Sequence, residues 1–282
     1  MIQHRFGPLD REVPVIGQGT WNVPTRGAAA EEAKRALRRG IELGMVHIDT
    51  AEMYGDGASE RLIGEAIRGL PRERLFLVSK LLPTHGRYAA TIQACEQSLQ
   101  RLGVDYLDCY LLHWRGSVPL EETLGAFEQL VTEGKIRSLG VSNFDVDDLR
   151  EAQAALTRER IACNQVLYHL GERTIEEHEL PWCRTNDVAI VAYTPFGRGD
   201  WRDAPGVHAL DAVALKHGAA PRQVILAFLT RDPIVFAVPK AATLAHLEEN
   251  AAAGDLRLDQ DDVAAIARAF PVRKRRGGIP TL

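Results

Sequence analysis

Asp49, Tyr54, Lys80 and His113 each follow a short apolar segment, and their side chains suit one kind of reaction. A carbonyl group that accepts a hydride develops negative charge on its oxygen, so a proton donor must stand beside that oxygen. Tyrosine is a weak acid with a pKa of about 10, and a nearby ammonium such as that of Lys80 lowers this pKa. Asp49 can balance the buried charge of Lys80, and a neutral His113 can orient the carbonyl oxygen. Together the four residue types indicate carbonyl reduction, with Tyr54 as the proton donor.

Each of these four residues also has an ordinary structural explanation. Asp49 and Lys80 could form a buried ion pair and nothing more. Tyr54 could lie in a surface loop, and His113 could be a hydrogen-bonded core histidine. All four residues lie at or shortly after the C-terminal ends of neighbouring predicted strands, and this shared position favours the catalytic interpretation.

A second group of residues suits a nicotinamide cofactor. The amides of Asn143 and Gln165 can both donate and accept hydrogen bonds, as a carboxamide requires, and Ser142 adds a hydroxyl. The ring of Tyr193 offers a flat face on which a nicotinamide can stack. The chain has no GxGxxG motif, so a Rossmann fold is not expected to hold this cofactor.

Two later segments suit the phosphates of such a cofactor. Phe196-Gly197-Arg198-Gly199 combines close backbone approach with a guanidinium group. Lys240 precedes Thr243, a predicted N-cap, and the N–H groups at the start of the following helix attract an anion. These segments predict an anion-binding end of the site.

The elements that must position these residues alternate between short apolar strands and longer amphipathic helices. Strands covered by helices on both faces have nearly continuous apolar sequences. Eight segments fit this description, namely residues 15–19, 45–49, 75–80, 106–112, 136–142, 162–166, 189–193 and 234–238. Eight strand–helix units close a barrel, so the predicted fold is α/β, a (β/α)8 TIM barrel with its active site at the C-terminal ends of the strands.

The two ends of the chain fall outside this repeat. Residues 3–6 and 12–13, joined through Gly7-Pro8-Leu9-Asp10, predict an N-terminal β-hairpin that plugs the bottom of the barrel. Residues 244–253 and 260–269 predict extra C-terminal helices. Because no linker interrupts the pattern, residues 1–282 are expected to form a single (β/α)8-barrel domain.

The composition excludes several other classes of protein. A chain of 282 residues with 45% hydrophobic and 26% charged residues is typical of a globular protein. The net charge of −4 gives no general attraction to nucleic acid or to a membrane surface. Without an apolar signal segment the protein is expected in the cytoplasm. It is also expected to be a monomer. The four cysteines and nine histidines lack the spacing of a metal site, so no metal is expected.

Seven sequence blocks contain most of these residues. They are Ile48-Asp49-Thr50-Ala51-Glu52-Met53-Tyr54-Gly55, Leu111-Leu112-His113-Trp114, Gly140-Val141-Ser142-Asn143-Phe144, Asn164-Gln165, Ala192-Tyr193-Thr194-Pro195, Pro239-Lys240 and Glu249-Asn250. In this order, from about residue 12 to residue 270, they resemble the aldo-keto reductase family, particularly its bacterial methylglyoxal and diketogulonate reductase-type members. The resemblance implies that Asp49, Tyr54, Lys80 and His113 form a catalytic tetrad.

The resemblance also implies a cofactor and a substrate class. The expected reaction is the NADPH-dependent reduction of aldehydes and ketones to alcohols, with small aldehydes and 2-oxoaldehydes such as methylglyoxal as substrates. The expected substrate-binding residues are Trp21, Tyr54, His113 and Trp114. The expected cofactor-binding residues are Gly19, Thr20, Trp21, Asp49, Ser142, Asn143, Gln165, Tyr193, Thr194, Pro195, Phe196, Gly197, Arg198, Lys240, Ala241, Thr243, His246, Glu249 and Asn250.

Two positions depart from the family pattern. Ala241 follows Lys240 where serine or threonine is common, and His246 stands where an arginine is expected. Both of the usual residues support the 2′-phosphate of NADPH. We therefore expect a modest preference for NADPH, with measurable use of NADH.

Two other functions are compatible with the same residues. Lys80 could form a Schiff base with a carbonyl substrate, which would make the protein a barrel lyase. Alternatively, the chain could be a nucleotide-binding regulatory subunit without significant turnover. The complete tetrad favours the reductase.

Overall fold

The computed structural model describes residues 1–241, 243–275 and 277–282, except for the side chain of Asp200. Two short strands, β1 (Gln3–Arg5) and β2 (Glu12–Pro14), form an antiparallel hairpin. Eight further strands form one parallel sheet in chain order: β3 (Gln18–Gly19), β4 (His47–Asp49), β5 (Phe76–Leu81), β6 (Cys109–Leu112), β7 (Leu139–Ser142), β8 (Ile161–Leu167), β9 (Ala189–Tyr193) and β10 (Val235–Ala237). Each of the eight predicted strand segments contains or overlaps one of these strands.

The last strand returns to the first and closes the sheet. Parallel bridges join Ile16 to Ala237 and Gly19 to Lys240. The Gly17 amide donates to the Ala237 carbonyl at 2.8 Å, and the Ala237 amide donates to the Val15 carbonyl at the same distance. The sheet is therefore a barrel, and the (β/α)8 prediction is confirmed.

The described residues contain ten α-helices: α1 (Gly27–Glu42), α2 (Ala58–Ile67), α3 (Tyr88–Leu102), α4 (Leu120–Thr132), α5 (Val146–Ala155), α6 (Glu179–Asn186), α7 (Val207–His217), α8 (Pro221–Leu229), α9 (Leu244–Ala253) and α10 (Gln260–Ala269). The predicted bounds of α9 and α10 are confirmed. The Asp145 side chain caps α5 by accepting hydrogen bonds from the amides of Asp147 and Asp148. None of the helices in the described ranges combines the length and apolar character needed to cross a membrane.

The core has an inner and an outer part. Inside the barrel, Phe6 from the hairpin packs against Phe76 and Phe236, with ring centroids 4.8 and 5.0 Å apart. Between barrel and helices, buried residues such as Leu37 and Ile41 of α1 recur at helical spacing and face the strands. Because β2 leads directly into β3, the hairpin closes the end at which the strands begin, as predicted. The opposite end is left for a site.

Candidate active site

A cavity of about 880 Å3 lies at the C-terminal ends of the strands. Its lining comes from the ends of at least seven strands, from α8 and α9, and from the last two residues of the sequence. The lining residues are Gly19, Thr20, Trp21, Asn22, Asp49, Met53, Tyr54, His113, Trp114, Arg115, Ser142, Asn143, Gln165, Tyr193, Thr194, Pro195, Phe196, Gly197, Arg222, Val238, Lys240, His246, Thr281 and Leu282. Most of the residues expected to bind substrate and cofactor are therefore brought together.

Lys80 lies fully buried beneath the floor of this cavity. Its Nζ donates hydrogen bonds to Asp49 Oδ2 and to the Thr50 carbonyl, each at 2.7 Å. A third, longer hydrogen bond of 3.4 Å runs from Nζ to the Tyr54 hydroxyl. The other Asp49 oxygen, Oδ1, accepts from Gln165 Nε2 at 2.7 Å. Asp49 therefore links Lys80 by hydrogen bonds to Gln165, one of the residues expected to bind the nicotinamide.

The charges of this cluster are set by burial and by mutual contact. Burial raises the pKa of Tyr54, and the positive charge of Lys80 offsets this only in part. Lys80 was expected to lower the pKa of Tyr54, but in the structure the effect of burial is larger and the pKa is raised. Burial by itself would lower the pKa of Lys80, but Asp49 and Tyr54 outweigh burial and raise it. Tyr54 is therefore protonated and Lys80 charged at neutral pH, as proton donation requires.

His113 stands across the cavity floor from the tyrosine. Its ring meets the Tyr54 ring edge to face, with centroids 5.8 Å apart. Burial, assisted by the charge of Lys80, lowers the pKa of His113 to about 3. The imidazole is therefore neutral at physiological pH and can donate one hydrogen bond to a substrate oxygen.

The amide-bearing residues are already oriented by one another. Ser142 Oγ donates to the Gln165 carbonyl at 2.9 Å. Asn143 Nδ2 donates to Ser142 Oγ at 3.0 Å and to the His113 carbonyl at 3.2 Å. The Tyr193 hydroxyl donates to Asn143 Oδ1 at 2.7 Å. This network fixes the side chains at one level of the rim, where a carboxamide could be bound.

Two of the rim residues have left-handed backbone conformations. Asn143 has a φ of 59° and Thr194 a φ of 52°. Asparagine tolerates this region, but for a branched residue such as threonine it is strained and costs on the order of 1–3 kcal/mol. Such strain concentrates at functional sites, and here it directs the chain after β7 and β9 around the cavity.

The part of the cavity near β10 carries positive charge. Lys240 and His246 are exposed there, and no described residue forms an ion pair with either. The Thr243 side chain caps α9 by accepting from the His246 amide, and the predicted N-cap is confirmed. The lysine charge beside the start of a helix suits a phosphate group.

Asn250, on α9, carries a further sign that a ligand binds nearby. It is fully buried, and neither its Oδ1 nor its Nδ2 has a hydrogen-bond partner in the described part of the chain. Buried amides are nearly always satisfied, so an orphaned pair of this kind calls for a partner from outside the chain. An adenine edge carries both donors and acceptors, so these residues fit a dinucleotide such as NADPH.

Six of the expected site residues do not line the cavity: Lys80, Arg198, Ala241, Thr243, Glu249 and Asn250. Lys80 acts from beneath the floor through its contacts. Arg198 is exposed and lies outside the lining, and Ala241 packs against the core. Glu249 forms an ion pair with Arg222, with 3.3 Å between Oε2 and Nε.

Seven lining residues are absent from the sequence-based expectation: Asn22, Met53, Arg115, Arg222, Val238, Thr281 and Leu282. Proximity to expected residues could have identified several of them, since Met53 adjoins Tyr54 and Val238 follows β10. No comparable signal marks Arg222, which lies in the first turn of a helix, or the last two residues.

The outer walls of the cavity are aromatic and largely uncharged. Trp21 and Trp114 are 48% and 38% exposed. Arg115 is held by two acidic residues of α5, at 2.8 Å from Glu151 and 3.4 Å from Asp148, which neutralise its charge. Within the described ranges, no group of three or more histidine, cysteine or acidic side chains is placed to hold a metal ion.

Comparison with known proteins gives one consistent result. Residues 15–270 match the aldo/keto reductase family. The chain is 45% identical to the methylglyoxal reductase of Escherichia coli strain K12 over 94% of both chains, and 34% identical to the glyoxal reductase of Bacillus subtilis strain 168 over 90% of this chain and 88% of that one. The crystal structure of an aldo-keto reductase from Klebsiella pneumoniae in complex with NADPH superposes with a TM-score of 0.93, at 45% identity and full coverage of both chains.

Proposed function

Because this chain belongs to the aldo/keto reductase family, we propose that it uses NADPH to reduce small aldehydes and 2-oxoaldehydes to alcohols, with Tyr54 as the proton donor. The observation that carries the proposal is the buried Asp49–Lys80–Tyr54 cluster facing His113 at the floor of one cavity. NADPH bound in the cavity would supply the hydride.

The residues of the chain would handle the proton. His113, being neutral, hydrogen-bonds the carbonyl oxygen and orients it beside Tyr54. Tyr54 donates its hydroxyl proton as negative charge develops on that oxygen. Lys80 stabilises the resulting phenolate across the 3.4 Å contact, and Asp49 holds the Lys80 ammonium in place.

Other residues would hold the cofactor. The amides of Asn143 and Gln165 would bind the carboxamide, and the ring of Tyr193 would stack against the nicotinamide. Lys240 and the start of α9 supply positive charge and N–H groups for the phosphates. Water exclusion follows from the depth at which Asp49 and Lys80 are buried.

The saturation of Lys80 disfavours the lyase alternative. An ammonium has three N–H groups, and Asp49, Thr50 and Tyr54 take all of them. Schiff-base formation requires a neutral amine that can approach the substrate. A fully buried Lys80 whose pKa is raised meets neither condition.

The walls of the cavity support a small, uncharged substrate. Trp21 and Trp114 provide flat apolar faces, and the neutralised Arg115 offers little attraction to an acid. The similar proteins from Escherichia coli and Bacillus subtilis are a methylglyoxal reductase and a glyoxal reductase. An apolar pocket discriminates one methylene by only about 1–3 kcal/mol, so a broad range of small aldehydes is expected.

The test is kcat/KM with NADPH for four carbonyl compounds: methylglyoxal, 4-nitrobenzaldehyde, an aldose and a ketosteroid. Methylglyoxal and the nitrobenzaldehyde should be the best substrates, the latter by stacking on the tryptophans. An aldose or ketosteroid that outperforms both by tenfold or more would refute the substrate class. Absence of NADPH oxidation with all four compounds would refute the reductase itself.

A further inference from the structure

Arg222 is a cavity residue that the reaction described above leaves without a role. It lies in the first turn of α8 and lines the same cavity as Lys240 and His246. Its side chain is 19% exposed, which is unusually buried for an arginine.

The guanidinium group is held in place but is not satisfied. Its central carbon lies 3.7 Å from the centroid of the Phe196 ring, a stacking distance. Nε is buried and makes no hydrogen bond, because the nearby Glu249 carboxylate, 3.3 Å away, lacks the required geometry. No other hydrogen bond from Arg222 is found in the part of the chain that the structure describes.

The charge of this guanidinium is also only partly compensated. Burial lowers the pKa of Arg222, Glu249 offsets this in part, and the positive charge of Arg202 lowers the pKa further. A desolvated, preoriented cation with unused donors gains more from a bound anion than an exposed one does.

Barrel topology places this cationic region on the opposite side of the ring from His113. Lys240 follows β10, and Arg222 and His246 come from the helices that flank it. His113 follows β6, which lies four strands away in a closed ring of eight and is therefore opposite. A dinucleotide whose nicotinamide lies beside Tyr54 and His113 would place its adenosine end near β10. NADPH differs from NADH by one phosphate on the ribose at that end.

We propose that Arg222 is a specificity-determining residue that binds the 2′-phosphate of NADPH together with Lys240. The proposal rests on the proposed use of a nicotinamide cofactor. The planar fork of a guanidinium matches a phosphate better than a single imidazole does, so Arg222 supplies what His246 lacks. The protein should consequently prefer NADPH more strongly than Lys240 and His246 alone would allow.

The test measures dissociation constants of NADPH and NADH by isothermal titration calorimetry, without substrate. Arg222→Met keeps the aliphatic stem on Phe196 but removes the charge. It should weaken NADPH binding on the order of 10- to 100-fold, the range of one charge-assisted hydrogen bond, and change NADH binding by less than about threefold. Arg150→Met is the matched control, because Arg150 is exposed on α5 and does not line the cavity; it should leave both constants nearly unchanged.

Each other outcome has a distinct meaning. Equal weakening of NADPH and NADH by Arg222→Met, or no weakening, overturns the assignment of Arg222. A wild-type protein that binds neither nucleotide overturns the proposed function instead. A second measurement on the wild type needs no variant: 2′-AMP should bind at least tenfold more tightly than adenosine, and equal affinities would also overturn the proposal.

Discussion

Lys80 illustrates how a single residue determines the chemistry of this site. An isolated ammonium in a protein interior is strongly unfavourable. This one is stabilised because a carboxylate, a carbonyl and a phenol oxygen accept hydrogen bonds from its three N–H groups. The same contacts keep Tyr54 beside a permanent positive charge. In the proposed reaction the tyrosine keeps its proton until negative charge develops on the substrate, and the charge of Lys80 reduces the free-energy cost of losing that proton.

Replacement of Tyr54 by phenylalanine should remove the proton donor and little else. We expect kcat/KM for methylglyoxal reduction to fall by about 10²–10⁴-fold, the usual contribution of one general acid. The NADPH dissociation constant should change by less than about threefold, because the ring remains. Tyr88→Phe, at an exposed tyrosine on α3, is the control and should retain full activity. Turnover of Tyr54→Phe within a few-fold of wild type would disprove the assignment.

The pairing of β7 with β8 places Ser142 and Gln165 side by side at the rim of the barrel. The register of β7 against β8 shifts by one residue, since Leu139 pairs with Ile161 whereas Val141 pairs with Asn164. As a result Ser142 lies opposite Gln165 at the rim. Gly140 stands at the shift and permits a close approach inside the barrel, where a side chain would not fit.

Substitution of Gly140 by alanine should therefore destabilise the barrel. The added Cβ would lie 2.6 Å from Leu111 Cδ2 and 2.8 Å from the Cys163 carbonyl oxygen, and the latter cannot move without shifting β8. We expect the free energy of unfolding in urea to fall by about 1–3 kcal/mol. Gly125→Ala is the matched control: its Cβ would meet only Tyr88, at an ordinary 3.9 Å, inside α4. This control should stabilise the protein by about 0.5–1 kcal/mol. Equal effects of the two substitutions would contradict the packing argument.

The two ends of the barrel differ in role: one is filled by the hairpin and contributes to stability, and the other contains the cavity. At the end where the strands begin, the hairpin places Phe6 inside the barrel against Phe76, Phe236 and His47. His47 is fully buried, and neither ring nitrogen has a hydrogen-bond partner within the described ranges. Burial lowers its pKa to about 4. A neutral histidine in this apolar plug links the stability of the barrel to pH.

The acid sensitivity of the protein should depend on His47. Below its ordinary pKa of about 6.5, the histidine is protonated in the unfolded chain but not in the folded one. The free energy of unfolding is therefore unaffected by His47 above that pH, and it decreases as the pH falls from about 6.5 toward about 4. At pH 4.5 we expect His47 to reduce the free energy of unfolding by about 2–3 kcal/mol. The free energy of unfolding in urea should be measured at pH 7 and at pH 4.5. Its decrease between the two pH values should be smaller in His47→Leu than in wild type by about this amount. The exposed His208 is the control, and His208→Leu should keep the wild-type acid loss. An unchanged loss in His47→Leu would exclude His47 as its source.

The alternation of strands and helices along the chain was enough to predict the barrel and many of the residues that line its cavity. Apolar strands alternating with amphipathic helices leave few folds, and in a parallel barrel all strands end at one rim. A residue at the end of a strand or within a few residues after it, such as Asp49, Asn143 or Lys240, is therefore placed near this rim by topology alone. A local signal at a helix end was also sufficient, since Thr243 caps α9 as predicted.

The other lining residues of the cavity, and the ionisation of its groups, depend on contacts that form only when the chain folds. Arg222 faces the cavity because of how α8 packs beside β10, whereas Arg198, close to Phe196 in sequence, does not. The raised pKa of Tyr54 depends on burial by distant segments, and the lining by Thr281 and Leu282 depends on the path of the chain after α10. Periodicity and spacing describe contacts between near neighbours in sequence. Burial and charge at the site arise from contacts between residues far apart, which only the closed barrel brings together.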